Sequence, residues 1–137
     1  MNCAAIAEGL YGAAKDNKHF CYMTVGTGIG ASIIYDGKAL PVDAHSEIGH
    51  MRVKRHPDDN FQGRCPYLGD CVEGLACGPA IQDRWGIPAH ELPQDHPGWM
   101  IEAYYIAAIC NNLIYTARPK KIILGGGVFQ NLSLIHI

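Results

Sequence analysis

Three groups of residues in this chain have the types and spacing that chemistry needs. Cys65 and Cys71 follow His50 along the sequence, and two thiolates with an imidazole are the start of a tetrahedral zinc site. Their spacing is wider than Cys-x-x-Cys, and either His56 or Asp70 is available as a fourth ligand. Glu47 and Glu73 flank the cluster. Carboxylates that accept hydrogen bonds from neighbouring hydroxyls are a usual means of orienting a sugar, although an isolated glutamate is more often a solvated charge. The third group, Gly26-Thr27-Gly28 continued by Ile29-Gly30, combines consecutive backbone N–H groups with a hydroxyl in a turn able to face an anion. It lacks the Gly-Lys-Ser/Thr ending of a Walker A loop. No helix follows it, so it is not a dinucleotide fingerprint either. A glycine-rich hairpin can also simply turn. A second cluster, Gly125-Gly126-Gly127, ends an apolar run, which is where α/β folds place ligands and where missing side chains let a flat base or ribose approach the backbone.

The elements that must position these groups are legible from periodicity. Small and apolar residues at helical spacing predict a helix over Cys3 to Ala14. His19 to Val25 and Ala31 to Tyr35 read as strands of a hairpin, closed by Asp36-Gly37. Strand character returns at Met51 to Val53, and a polar loop runs from His56 to Asp70. Gly74 to Trp85 reads as a helix with a break or restart at Gly78-Pro79, because proline is tolerated in a first turn. Trp99 to Ala117 carries an apolar stripe through Ile101, Tyr105, Ala108, Ile109 and Leu113, and Arg118-Pro119 stops it. Ile122-Ile123-Leu124 then predicts a buried parallel strand, with a helix beginning near Val128.

Composition narrows the classes. With 137 residues and 48% hydrophobic content, the chain has the material for one core and no sign of disorder. A formal charge of -2 leaves no polycationic surface for nucleic acid. No apolar run approaches the roughly 20 residues of a membrane span, and no signal core opens the chain, so a cytoplasmic setting without membrane attachment is expected. Of six cysteines only Cys65 and Cys71 are close in sequence, which argues against a disulfide scaffold. Cys3, Cys21, Cys77 and Cys110 are expected to pack as small hydrophobes.

Taken in order, Asn2-Cys3-Ala4-Ala5, Gly26-Thr27-Gly28-Ile29-Gly30, Glu47-x-Gly49-His50, Cys65-x5-Cys71-x-Glu73-Gly74 and Gly125-Gly126-Gly127-Val128 resemble the ROK family of sugar kinases. Arg55-His56-Pro57-Asp58-Asp59, Gly63-x-Cys65-Pro66-Tyr67, Gly78-Pro79-Ala80-Ile81 and Arg84-Trp85-Gly86 resemble its bacterial fructokinase branch, and the likeness runs to about Asn131. The resemblance implies an α/β chain with the actin-like, ribonuclease-H-like ATPase fold, here as a partial domain with an inserted zinc-type loop. It implies transfer of phosphate from ATP with Mg2+ to a hexose, most specifically fructose at its 6-hydroxyl. Gly26, Thr27 and Gly28 would then meet the ATP phosphates, while Pro79, Gly126, Gly127 and Val128 would border the adenosine. Glu47, His50 and Glu73 would hold the sugar, and His50, Cys65 and Cys71 would bind zinc.

Two departures qualify the resemblance. Leu68 stands where the fructokinase loop has a histidine, which implies a weaker zinc site. The family's aspartate base belongs two residues before the position of Asn2, hence before Met1, and the Asp-x-Gly-Gly-Thr phosphate loop is not in the sequence. No residue of this chain is therefore assigned as catalytic, and the chain alone is expected not to turn over. Leu132 to Ile137 departs from the family and matches the translation of a sequencing-library adapter. The expected layout is a partial kinase domain over 1–131, with the zinc-type loop over 50–71, and a nonbiological tail over 132–137. The expected partner is a hexose, with a homodimer for the intact protein. Two rival readings are a sugar-responsive transcriptional repressor of the same family and a noncatalytic zinc-loop interaction module.

Overall fold

A computed structural model describes residues 1–40 and 45–131; the expected tail at 132–137 lies outside the described residues. Helix α1 (Asn2–Tyr11) leads into strands β1 (Phe20–Val25), β2 (Ile29–Tyr35) and β3 (Lys38–Leu40). A 3-10 turn at Ile48–His50 and a long loop precede helices α2 (Val72–Ala76), α3 (Gly78–Trp85) and α4 (Gly98–Ala117). Strand β4 (Lys121–Gly125) and a second 3-10 turn at Gly127–Asn131 complete the described chain.

The sheet order is β3-β2-β1-β4. β1 pairs antiparallel with β2 and parallel with β4, as the hairpin and crossover readings expected. Alternation along β1 sends Cys21, Met23 and Val25 into a core shared with Val72, Leu75, Ile81, Tyr105, Ile109 and Leu113 from α2, α3 and α4. Phe20 and Ile34 face the other way, onto Ala5 and Ala14 of the N-terminal segment. The sheet is thus covered on both faces, as a mixed sheet with a parallel crossover must be. Among the described residues no helix is long and apolar enough to cross a membrane.

Several expectations are corrected. α1 stops at Tyr11 because the Glu8 carboxylate and carbonyl capture the N–H groups of Ala13 and Ala14. Cys3 is exposed on α1 rather than packed, whereas Cys21 and Cys77 are buried. Strand β3 was not expected; Asp36 and Gly37, both at positive φ, form the tight turn that brings Lys38–Leu40 back against β2. Met51 to Val53 is not a strand, since it has no ladder partner, and the Met51 carbonyl instead accepts the Val72 N–H at 3.0 Å. β4 is half-buried rather than buried, because it lies at the sheet edge. Near Val128 the chain forms a 3-10 turn where a helix was expected.

Candidate functional site

Helix α2 positions most of the chemistry. Cys71 caps it, with its sulfur accepting the Gly74 N–H at 3.4 Å, and Glu73 stands in its first turn. Cys65 comes from a small hairpin in which Cys65 and Gly69 exchange backbone hydrogen bonds, so the loop folds back onto the start of α2. His50 ends the first 3-10 turn. Its Nδ1 lies 3.4 Å from the Cys71 sulfur and 3.6 Å from the Cys65 sulfur. Two ligands of a tetrahedral zinc ion are separated by about 3.5 Å for one nitrogen and one sulfur, given bonds near 2.0 and 2.3 Å, so these residues fit such an ion. The three donor atoms all lie within 4.8 Å of one another.

The sulfurs differ in their surroundings. Burial would raise the Cys65 thiol, but the N–H groups of Leu68 and Tyr67, a bond from Cys71 and the charge of His50 outweigh it and hold the thiol below its ordinary value. Burial pushes the Cys71 thiol up to about 11, with Cys65 and Glu73 adding to it and the Gly74 N–H opposing. Of the two alternatives for a fourth ligand, neither joins the cluster. His56 packs edge-on against Tyr104 at 5.0 Å, with its Nδ1 accepting the Asp58 N–H at 3.2 Å. Asp70 pairs with Arg52 at 3.4 Å.

The other nitrogen of His50, Nε2, faces two carboxylates, Glu47 and Glu73, each at 3.9 Å. Both carboxylates line a cavity of about 470 Å³ together with Thr24, Gly26, Thr27, Gly28 and Ser46. Glu73 also braces the β1–β2 turn, because its Oε2 accepts the Ile29 N–H at 2.9 Å. A Cβ at Gly28 would meet that same oxygen at 2.6 Å, so a side chain there would have to displace the Glu73 carboxylate from the turn.

A second cavity of about 600 Å³ lies on the other side of the turn. Pro79, Gly127 and Val128 line it with Gly26 and Thr27, so the two glycine clusters do converge. Gly126 is not in the lining. Its φ of +107° and its contact with the Val25 backbone make it the residue that turns the chain at the end of β4. Gly28 lines the first cavity only, and His50 stands behind the two glutamates rather than in the lining.

Sequence reasoning missed Ser46 and Thr24 in the first cavity and Gln82, Pro88, Ala89, His90 and Gln130 in the second. Gln82 was findable, since it falls one helical turn after Pro79 on α3. Pro88 to His90 give no such signal. A buried network was also missed: Arg84 binds both oxygens of Asp59 at 3.1 and 3.0 Å, and Tyr105 donates to Asp59 at 2.6 Å. It ties the His56 to Phe61 loop to α3 and α4.

The model of the ROK family matches residues 1–136. A Bacillus subtilis protein is 52% identical over 130 residues, covering 95% of this chain and 44% of its own length. The fructokinase of Pediococcus pentosaceus is 45% identical over 134 residues, covering 98% of this chain and 46% of that protein. The chain thus spans less than half the length of these relatives. Among solved structures, the ROK hexokinase of Thermus thermophilus superposes with a TM-score of 0.77 at 28% identity, over 95% of this chain and 48% of that one. The sheet and its flanking helices are accordingly part of the actin-like ATPase fold that the motifs implied.

Proposed function

The chain belongs to the ROK family, and on that premise we propose that the intact protein transfers a phosphoryl group from MgATP to a hexose, fructose being favoured by the named relative. One observation carries the reading: Gly26 and Thr27 line both cavities, so a single turn borders the two places where sugar and nucleotide would lie. Phosphoryl transfer needs its donor and acceptor in line across such a point, and depends on positioning and charge stabilisation more than on covalent chemistry.

Each group then has a part. Glu47 and Glu73 accept hydrogen bonds from sugar hydroxyls. The N–H groups of Thr27 and Gly28 have no backbone acceptor among the described residues and, with the Thr27 hydroxyl, donate to phosphate oxygens. Pro79, Gly127 and Val128 border the adenosine. No carboxylate lines the second cavity among the described residues, so magnesium would arrive on the nucleotide's own phosphates. His50, Cys65 and Cys71 would hold zinc, which supplies a fixed loop and a fixed histidine tautomer; the His50 Nε2–H then faces Glu47 and Glu73. The base for the accepting hydroxyl is not assigned to a residue of this chain. A cytoplasmic setting suits six free cysteines.

Calorimetric titration of the chain with MgADP and with fructose tests the proposal. Both are expected to bind, Thr27→Val weakening MgADP by about tenfold through the lost bond to a charged phosphate, and Glu73→Gln weakening fructose. Heat from neither ligand, or a Thr27→Val chain that binds MgADP as well as the parent, would overturn it.

A further inference from the structure

The ligand cluster has three protein donors and, among the described residues, no fourth. Two side chains that could offer a donor are committed elsewhere, His56 to Asp58 and Tyr104, and Asp70 to Arg52. Glu47 and Glu73 face the far ring nitrogen of His50 rather than the sulfurs. The hairpin residue beside Cys65 is Leu68, which gives its backbone N–H to the Cys65 sulfur at 3.4 Å and presents only hydrocarbon beyond it. Leu68 is 39% exposed and Tyr67 is 83% exposed, so the hairpin that carries Cys65 is at the surface, while both sulfurs are buried beneath it and His50 is half-buried.

Three donors fit a tetrahedral ion and leave one corner, and a three-ligand protein site with one open position is the arrangement in which zinc binds a molecule from solution. We propose that the His50–Cys65–Cys71 centre binds its metal with one coordination position open, and that this position takes a small monodentate donor from solution: water by default, an imidazole where one is offered. The inference rests on the metal reading above and goes beyond it. The arrangement follows from Leu68, since an imidazole side chain in its place would supply the missing donor from within the hairpin.

Cobalt(II) reports the ligand set directly, because thiolate coordination gives charge-transfer bands and tetrahedral geometry gives intense visible bands. The tag-free chain, reduced and loaded with cobalt(II) in imidazole-free buffer, is expected to show both, and added imidazole is expected to shift the visible bands saturably. Leu68→Ala should respond in the same way. Leu68→His should bind cobalt(II) roughly tenfold or more tightly against a chelator and should ignore imidazole. Thiolate bands that appear but do not change with imidazole would overturn the open position while leaving the metal site standing. Absence of thiolate bands would overturn both.

Discussion

Glu73 joins two sites through its two oxygens. Oε2 accepts from the Ile29 N–H and fixes the β1–β2 turn, while Oε1 lies 3.9 Å from the His50 ring whose other nitrogen faces the cysteines. Loss of that carboxylate should therefore disturb the turn as well as the first cavity, which it lines. Glu102 is a contrasting carboxyl, fully buried on α4 with no hydrogen-bond partner among the described residues. Burial holds its proton on well above the usual carboxylate range, with Arg84 pulling the other way. Above the ordinary carboxylate range the unfolded chain has lost this proton and the folded one has kept it, so stability falls as pH rises from there towards the folded value. Glu102→Gln should remove that loss: thermal melts should show the variant gaining on the parent at about pH 8 but not at about pH 4. Equal differences at both would refute this. Cys65 and Cys71 were findable because they lie close in sequence beside a histidine, and Glu47 and Glu73 only because they flank that cluster, since a glutamate alone reads as a solvated charge. Glu102 was not, because its neighbours in sequence read as an uninterrupted apolar stripe.

Among the elements, α2 and α3 act as two short helices with separate duties. α2 brings Cys71 and Glu73 to the cluster, and α3 begins at Gly78, whose N–H binds the Gly26 carbonyl at 2.7 Å and fastens the helix to the turn. The break at Gly78-Pro79 was legible from proline's tolerance for a first turn. The Met51 to Val53 reading failed because β-branched propensity cannot find a ladder partner by itself, and β3 was missed because three residues carry too little pattern. The long loop gains its anchor from Asp59, buried with Arg84 and Tyr105. Burial would raise the Asp59 carboxyl, but the bonds from Tyr105, Arg84 and the Phe61 N–H, with the Arg84 charge, hold it below its usual value. Its contribution is present above the unfolded carboxylate value and is lost as pH falls through the folded one. Asp59→Ala leaves Arg84 unpaired and should cost about 3 kcal/mol, lowering the melting midpoint by about 10 °C and flattening the acid limb. A midpoint within about 2 °C of the parent would contradict this anchoring.

At the scale of the whole molecule, one sheet places the β1–β2 turn and the end of β4 side by side, because β1 is the strand shared by the antiparallel hairpin and the parallel crossover. That juxtaposition was anticipated only in outline. The two glycine clusters announced themselves, whereas Pro88, Ala89 and His90 reach the same cavity through a connecting segment with no periodicity. The central claim is that Gly26 and Thr27 serve both cavities, and amide NMR of the labelled chain tests it most directly. MgADP should shift the amides of Gly26, Thr27, Gly127 and Val128, fructose should shift those of Gly28, Glu47 and Glu73, and Thr27 should move with both. A Thr27 amide that moves with neither ligand, or nucleotide shifts that bypass the turn, would contradict it.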